Sequence, residues 1–300
     1  MHTIKSSIPK PIKDQIKNAP LTKSIFKKDK KLTPEQEEIL HAKESLDKPA
    51  SVLFFTTHKC ASSFISPLFQ TITSNSNFEL KDYAGAIWNL GDQLDIDQDK
   101  EDFLSAFLEN AADRLFFRRG EIYAPLRIPV DFPERRNLKH IFFLRDPRDV
   151  MVSSYYSFGF THGLPKNSKL RKRRLLERQR ISEQGIDNYV VSDANNFLNR
   201  YLKYKEFVET SDSYLYLKYD DFQSDPLNFI ETITKYLDIT IPKQERQQLA
   251  EKASPVQITT DETKHKRSGK SKQYLKELKP ETIEILNKKF AEVLEYWNFE

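Results

Sequence analysis

One lysine, three hydroxyls and a run of backbone amides lie together in Thr57-His58-Lys59-Cys60-Ala61-Ser62-Ser63. The apolar run Ser51-Val52-Leu53-Phe54-Phe55 precedes them, as expected of a buried parallel strand. A helix is expected to follow, with Phe64, Ile65, Leu68, Phe69 and Ile72 on one face. Amides and hydroxyls at a strand mouth, backed by a helix N-terminus and an ammonium group, make a cradle for an anion. The loop is not a Walker A sequence, because it lacks Gly-x-x-x-x-Gly-Lys-Ser/Thr and has Cys60 directly after the lysine. Cys60 reads as a small packing residue; only the nearby His58 keeps a nucleophilic role open.

Two further clusters carry charge. Ile141-Phe142-Phe143-Leu144 ends at Arg145-Asp146-Pro147-Arg148-Asp149, and Ser153 stands eight residues after Arg145. A guanidinium at a strand end can grip a phosphate through two parallel hydrogen bonds, and Ser153 can face the same anion from a helix starting near Val150. A structural Arg–Asp ion pair is the alternative. Lys264 to Lys272 is a basic loop with Gly269 as its turn residue, either solvated surface or a phosphate clamp.

These clusters need a scaffold. A third apolar run, Tyr214-Leu215-Tyr216-Leu217, leads into Lys218-Tyr219-Asp220-Asp221. The following helix is expected to have Asp225 as N-cap and Pro226 at its first position. The last helix starts at Pro280, with Ile283, Leu286, Phe290, Val293 and Trp297 inward. Short strands that each give way to a polar loop and a helix predict an α/β three-layer sandwich: a central, mostly parallel sheet flanked by helices, similar to the P-loop NTPase fold. Ligands of such sheets bind at the carboxyl ends of the strands. Residues 1–49 are expected to form a basic arm and a helix capped at Thr33, and 50–300 one domain.

Of 300 residues, 38% are apolar and 31% charged, which predicts a soluble globular chain. No apolar run is long enough to span a bilayer, and the N-terminus does not read as a secretory signal. A single cysteine excludes an internal disulfide and a multi-cysteine zinc site and fits the cytoplasm. The net charge of +4 leaves anion binding to local clusters. One such cluster, Lys166 to Arg180, reads as a solvated helix or flap, as a lid favouring an acidic substrate, or as a patch for an anionic membrane surface.

Taken together, the motifs resemble those of the sulfotransferases that use 3′-phosphoadenosine 5′-phosphosulfate (PAPS). Thr57 to Phe64 is similar to their 5′-phosphosulfate loop, and Arg145 to Ser153 to their 3′-phosphate motif. Tyr214 to Pro226 is similar to their Tyr-Glu-Asp strand, and Arg267-Ser268-Gly269 stands where they have Arg-Lys-Gly. The resemblance implies that Lys59 contacts the leaving oxygen and that the amides of Cys60, Ala61, Ser62 and Ser63 hold the 5′-phosphate. Arg145, Ser153, Arg267, Ser268 and Gly269 would hold the 3′-phosphate; Phe64 and Tyr219 would meet the adenine. Many such enzymes have a base histidine in Lys-Thr-His-Leu-Pro; by spacing it falls here on Tyr123.

The implied reaction moves a sulfuryl group from PAPS to a hydroxyl or amine acceptor, with no metal required. Glu121 and His162 are the candidate bases, with Tyr123 and Asp82 behind them. The acceptor is a hydroxylated molecule whose class the sequence leaves open, an acidic one being the reading that the 166–180 lid would favour; no nucleic acid is expected. A nucleotide-dependent phosphotransferase would need a Walker loop and Mg²⁺ ligands. A non-catalytic module binding 3′-phosphoadenosine 5′-phosphate (PAP) or nucleic acid is the other alternative.

Overall fold

The computed structural model describes residues 50–93, 100–116, 120–164, 168–253 and 269–299. The Thr33 cap and the pair Arg267-Ser268 therefore lie outside the described residues. Five strands form one sheet: β1 (Val52–Thr56), β2 (Glu79–Lys81), β3 (Glu121–Leu126), β4 (Lys139–Leu144) and β5 (Tyr214–Lys218). Their order is β2-β3-β1-β4-β5, and every pairing is parallel. Parallel neighbours require crossovers, and helices supply them. All strands therefore point their carboxyl ends to one edge, where the loops gather.

Side chains alternate across the pleat. Leu53, Phe55, Tyr123, Leu126, Phe142 and Leu144 enter one core layer. Val52, Phe54, Ile122, Ala124, Ile141 and Phe143 enter the other. The second layer is closed by α1 (Ser62–Ser74), whose Phe64, Ile65, Leu68, Phe69 and Ile72 are all buried as the periodicity predicts. Helices α2 (Tyr83–Gln93) and α3 (Lys100–Leu115) cover the first layer beside β3.

After β4 comes α4 (Pro147–Tyr156), which begins earlier than Val150 because Asp146 caps it by accepting from the Arg148 amide at 2.8 Å. It runs on into a π-helical turn, Ser157–Thr161, and then to α5 (Ser168–Gln184) and α6 (Ile186–Glu209). Beyond β5 lie α7 (Tyr219–Ser224), α8 (Pro226–Leu237), α9 (Lys243–Ala253), α10 (Tyr274–Glu277) and α11 (Pro280–Tyr296). Asp225 caps α8 as expected. Between β1 and β3 the register slips, Leu53 pairing with Tyr123 and Phe55 with Leu126. Pro125 lies in this slip, and it has no amide to give the ladder. The sheet is wholly parallel, a stricter form of the expected architecture.

Candidate active site

Four adjacent strands each release one candidate side chain at the carboxyl edge of the sheet. In spatial order they are Arg127 after β3, Lys59 after β1, Arg145 after β4 and Tyr219 after β5. The loop after β1 has no glycine. Lys59 (φ 65°) and Ala61 (φ 46°) both adopt the left-handed conformation, which costs an ordinary residue about 1 kcal/mol or more. Strain of this kind persists where surrounding contacts over-determine it. Here Thr56 Oγ1 and the Cys60 thiol both donate to the carbonyl of Phe143 on β4, at 2.8 and 3.5 Å, while the Tyr204 hydroxyl donates to Thr56 O at 2.7 Å. Thr57 is fully buried at the end of β1. The N-cap of α1 is Ala61, which has no side-chain oxygen to close the first turn. The amides of Ser62 and Ser63 thus open the helix without a capping side chain.

Arg145 is the hub. Its two terminal nitrogens donate to the carbonyls of Lys59 (3.2 Å) and Lys270 (2.8 Å). Its guanidinium lies 4.5 Å above the centre of the Tyr219 ring and 3.5 Å from the Asp149 carboxylate. Arg145 is 3% exposed, and its Nε, also buried, has no hydrogen-bond partner among the described residues. The expected bidentate phosphate grip is thus altered: both terminal nitrogens already hold backbone, and Nε is the donor left over. The alternative of a structural ion pair is also present, with Asp149 as the partner. Asp146 instead pairs with Arg148, whose guanidinium stacks on Tyr274.

The third cluster is drawn to the same place. Tyr219 Oη donates to Gly269 O at 2.8 Å, as does Gln223 Nε2. Asp149 accepts from the amides of Lys272 (2.7 Å) and Tyr274 (3.1 Å). Ser271 Oγ bonds Asp220 and Gln223. Positive φ at Gly269 (55°) and Lys272 (59°) folds the segment back on itself. Gln223, Asp220 and Asp149 were not singled out from the sequence; an acidic and amide-rich turn directly after a strand was their only signal.

Electrostatics follow from this crowding. Burial, then the charge of Arg145, lowers Lys59 to about 8. Burial pushes the Cys60 thiol up to about 12, so it is inert, in keeping with a packing role. Burial also raises Asp149, against the pull of Arg145.

The other predicted residues fall as follows. His58 is half-buried beside Lys59. Phe64 is 6% exposed and packs on Phe222, ring centres 4.8 Å apart. Ser153 is partly exposed, seven residues into α4. His162 ends the π-helical turn; its ring meets Phe158, and its carbonyl accepts from Arg178. Glu121 is not brought to the site. It is the first residue of β3, opposite Ser51, at the amino edge of the sheet; it accepts from the Tyr123 hydroxyl and lies 4.0 Å from Lys81. A six-residue strand separates it from the ligand edge by roughly 16 Å. Tyr123 is likewise buried in mid-strand. The segment at the β3 mouth is Leu126-Arg127-Ile128-Pro129, so Arg127 is the charged residue that leaves the carboxyl end of this strand. Burial lowers the pKa of Arg127, with Asp82 and Tyr204 drawing it back. Among the described residues no group of three or more His, Cys, Asp or Glu side chains is placed to hold a metal ion. No described helix is long and apolar enough to cross a membrane.

A wholly parallel sheet between helices, with a strained loop after its central strand and an arginine at the end of the adjoining one, is an α/β architecture of the P-loop-like type. The sulfotransferase domain family matches residues 49–298, and the chain belongs to that family of enzymes. Mouse sulfotransferase SULT7A1 complexed with PAP superposes with a TM-score of 0.55 at 14% identity, over 87% of this chain and 91% of that one. Retinol dehydratase in complex with androsterone and inactive cofactor PAP gives 0.48 at 16% identity, over 87% of this chain and 85% of that one. A sulfotransferase from Alicyclobacillus acidocaldarius gives 0.39 at 13%, over 84% and 95%. At such identities the first of these is a likeness of fold. No curated protein matches the sequence.

Proposed function

We propose that the protein transfers a sulfuryl group from PAPS to a hydroxyl or amine of an acceptor. The observation that carries this reading is the junction at Arg145. One guanidinium ties the Lys59 loop to the 269–274 segment, and a buried Nε–H is left over for a ligand oxygen. An anion with charge at two ends suits a site with cations on neighbouring strands. The family match supports the sulfuryl chemistry, and PAP in the mouse relative supports the nucleotide.

The nucleotide would supply the activated sulfuryl group. The open amides of α1 bind its 5′ end, and Arg145 with Gly269 faces its 3′ end. Lys59 holds positive charge where the phosphate oxygen departs, the type of contact that gains strength in the transition state. His162 and, behind it, Asp82 are the remaining candidate bases. Arg127, a half-buried guanidinium at the mouth of β3, favours an acceptor with an anionic group beside its hydroxyl.

The test pairs binding with turnover. PAP should raise the melting temperature, and radiolabelled PAPS should label members of an acceptor panel that includes acidic alcohols and phenols. Lys59→Ala is expected to lower kcat by about 10²–10³. Wild-type turnover in that variant would remove the mechanism. PAP binding with no labelled acceptor in the panel would favour the non-catalytic reading instead.

A further inference from the structure

The surface of α5 takes no part in the nucleotide site, yet it is the most basic stretch of the chain. Lys166 to Arg180 holds eight basic residues against one acid, Glu177. The helix uses one face to pack. Ile181 is buried against the π-helical turn near Gly159; Arg174 pairs with Glu177 at 2.7 Å and lies over Phe158; Arg178 donates to His162 O. Those inward positions, at 174, 177, 178 and 181, account for Arg174, Arg178 and Glu177; the helix's other acid, Glu183, is exposed near its end and accepts from Gln179 at 2.7 Å.

The opposite face is different. Arg171, Lys172, Arg173 and Arg180 are exposed. In their midst stand Leu175 and Leu176, 44% and 60% exposed. One turn separates Lys172 from Leu175 and Leu176, and Arg173 and Arg180 lie three and four residues on either side of Leu176, on its own side of the helix. Two adjacent leucines standing clear of the surface among Lys172, Arg173 and Arg180, with Gln179 and Glu183 toward the end of the helix, do not suit solvent. They suit a surface whose outer layer is negative and whose inner layer is apolar. A polyanion such as RNA or an acidic protein segment would answer the charges and leave the leucines wet.

We infer that the outer face of α5 is a docking helix for an anionic lipid bilayer, with Leu175 and Leu176 entering the headgroup boundary and the flanking cations meeting the lipid phosphates and carboxylates. Because α5 closes over the turn that continues α4, docking would hold the membrane on the side of that turn. The assignment stands independently of the reaction catalysed.

The experiment uses the full chain and co-sedimentation with phosphatidylcholine vesicles, with and without phosphatidylserine. The wild type should bind only the anionic vesicles. Two double variants at exposed positions, Leu175→Ser with Leu176→Ser and Lys172→Glu with Arg180→Glu, should each weaken binding by about tenfold or more, with unchanged melting temperature. Leu176→Trp should show a blue-shifted emission on anionic vesicles and quenching by brominated lipid. Failure of the wild type to bind would overturn the proposal. So would binding kept by both double variants, which would move the contact to another surface. Loss in the charge variant alone, with no spectral shift at residue 176, would reduce the effect to adsorption of a polycation and sink it equally. Preference for RNA over anionic vesicles would do the same.

Discussion

Lys59 is a cation held partly out of water beside a second cation, and that sets how its grip depends on pH. Burial and Arg145 bring it to about 8 in the free protein. A bound anion favours the ammonium form, so the complex titrates higher. Affinity for PAP is then full below pH 8. It falls as pH rises through that value, by up to tenfold per unit until the pKa of the complex is passed. Calorimetric titration between pH 7 and about 9.5 should show this slope, and Lys59→Met should flatten it. A slope unchanged in the variant would place the titrating group elsewhere. Arg127 gives a second test at this scale. A charged hydrogen bond to an anionic acceptor is lost in Arg127→Gln, so its KM should rise about tenfold or more. PAP affinity should stay near wild type, because Arg127 lies on the other side of β1 from Arg145. Equal KM in both proteins would discard the acidic acceptor.

Between elements, the decisive contact joins α4 to the segment before α10. Asp149 receives two amides from that segment and faces Arg145 at 3.5 Å, and both side chains are buried. Replacing the carboxylate with an amide leaves Arg145 charged, buried and without its counter-ion. Asp149→Asn is therefore expected to cost about 3 kcal/mol of stability, the lower range for breaking a buried pair, since two carbonyls still hold the guanidinium. Denaturant midpoints at neutral pH would measure it. A change under about 1 kcal/mol would mean that the pair contributes little. The Arg–Asp pair was one reading of the 145–149 motif, but its link to the 269–274 segment was not legible, Asp149 and Lys272 standing 123 residues apart. What could be read was local: the apolar runs of β1, β4 and β5, the α1 and α11 faces, and the Asp225-Pro226 start of α8. Strand β2 escaped because three residues, Glu-Leu-Lys, carry no periodicity and owe their pairing to β3. The burial of Tyr123 was not legible for a related reason: spacing counts residues, whereas the register slip at Pro125 and the strand end decide which side chain reaches the mouth.

On the scale of the whole molecule, the ligand edge depends on one residue type at one place. The fork of Arg145 joins the segments near 59 and near 270, and each arm holds one carbonyl. A lysine at 145 would keep the charge. It could not span both carbonyls while presenting a third donor from a fixed plane. If nucleotide binding needs the two segments held as a unit, Arg145→Lys should weaken PAP by about tenfold or more, although the net charge is unchanged. The wild type, at a PAP concentration about a hundred times Kd, gains about 2.7 kcal/mol of stability. In a protein of this size that moves the melting temperature upward by roughly 4 °C. At the same PAP concentration the lysine variant should show about half that shift. A full shift would mean that the two segments bind their parts of the ligand separately, so that charge at position 145 is enough. Hydrogen exchange would then distinguish the cases: joint protection of 57–64 and 269–274 on adding PAP belongs to the coupled site, and protection of the first segment alone does not.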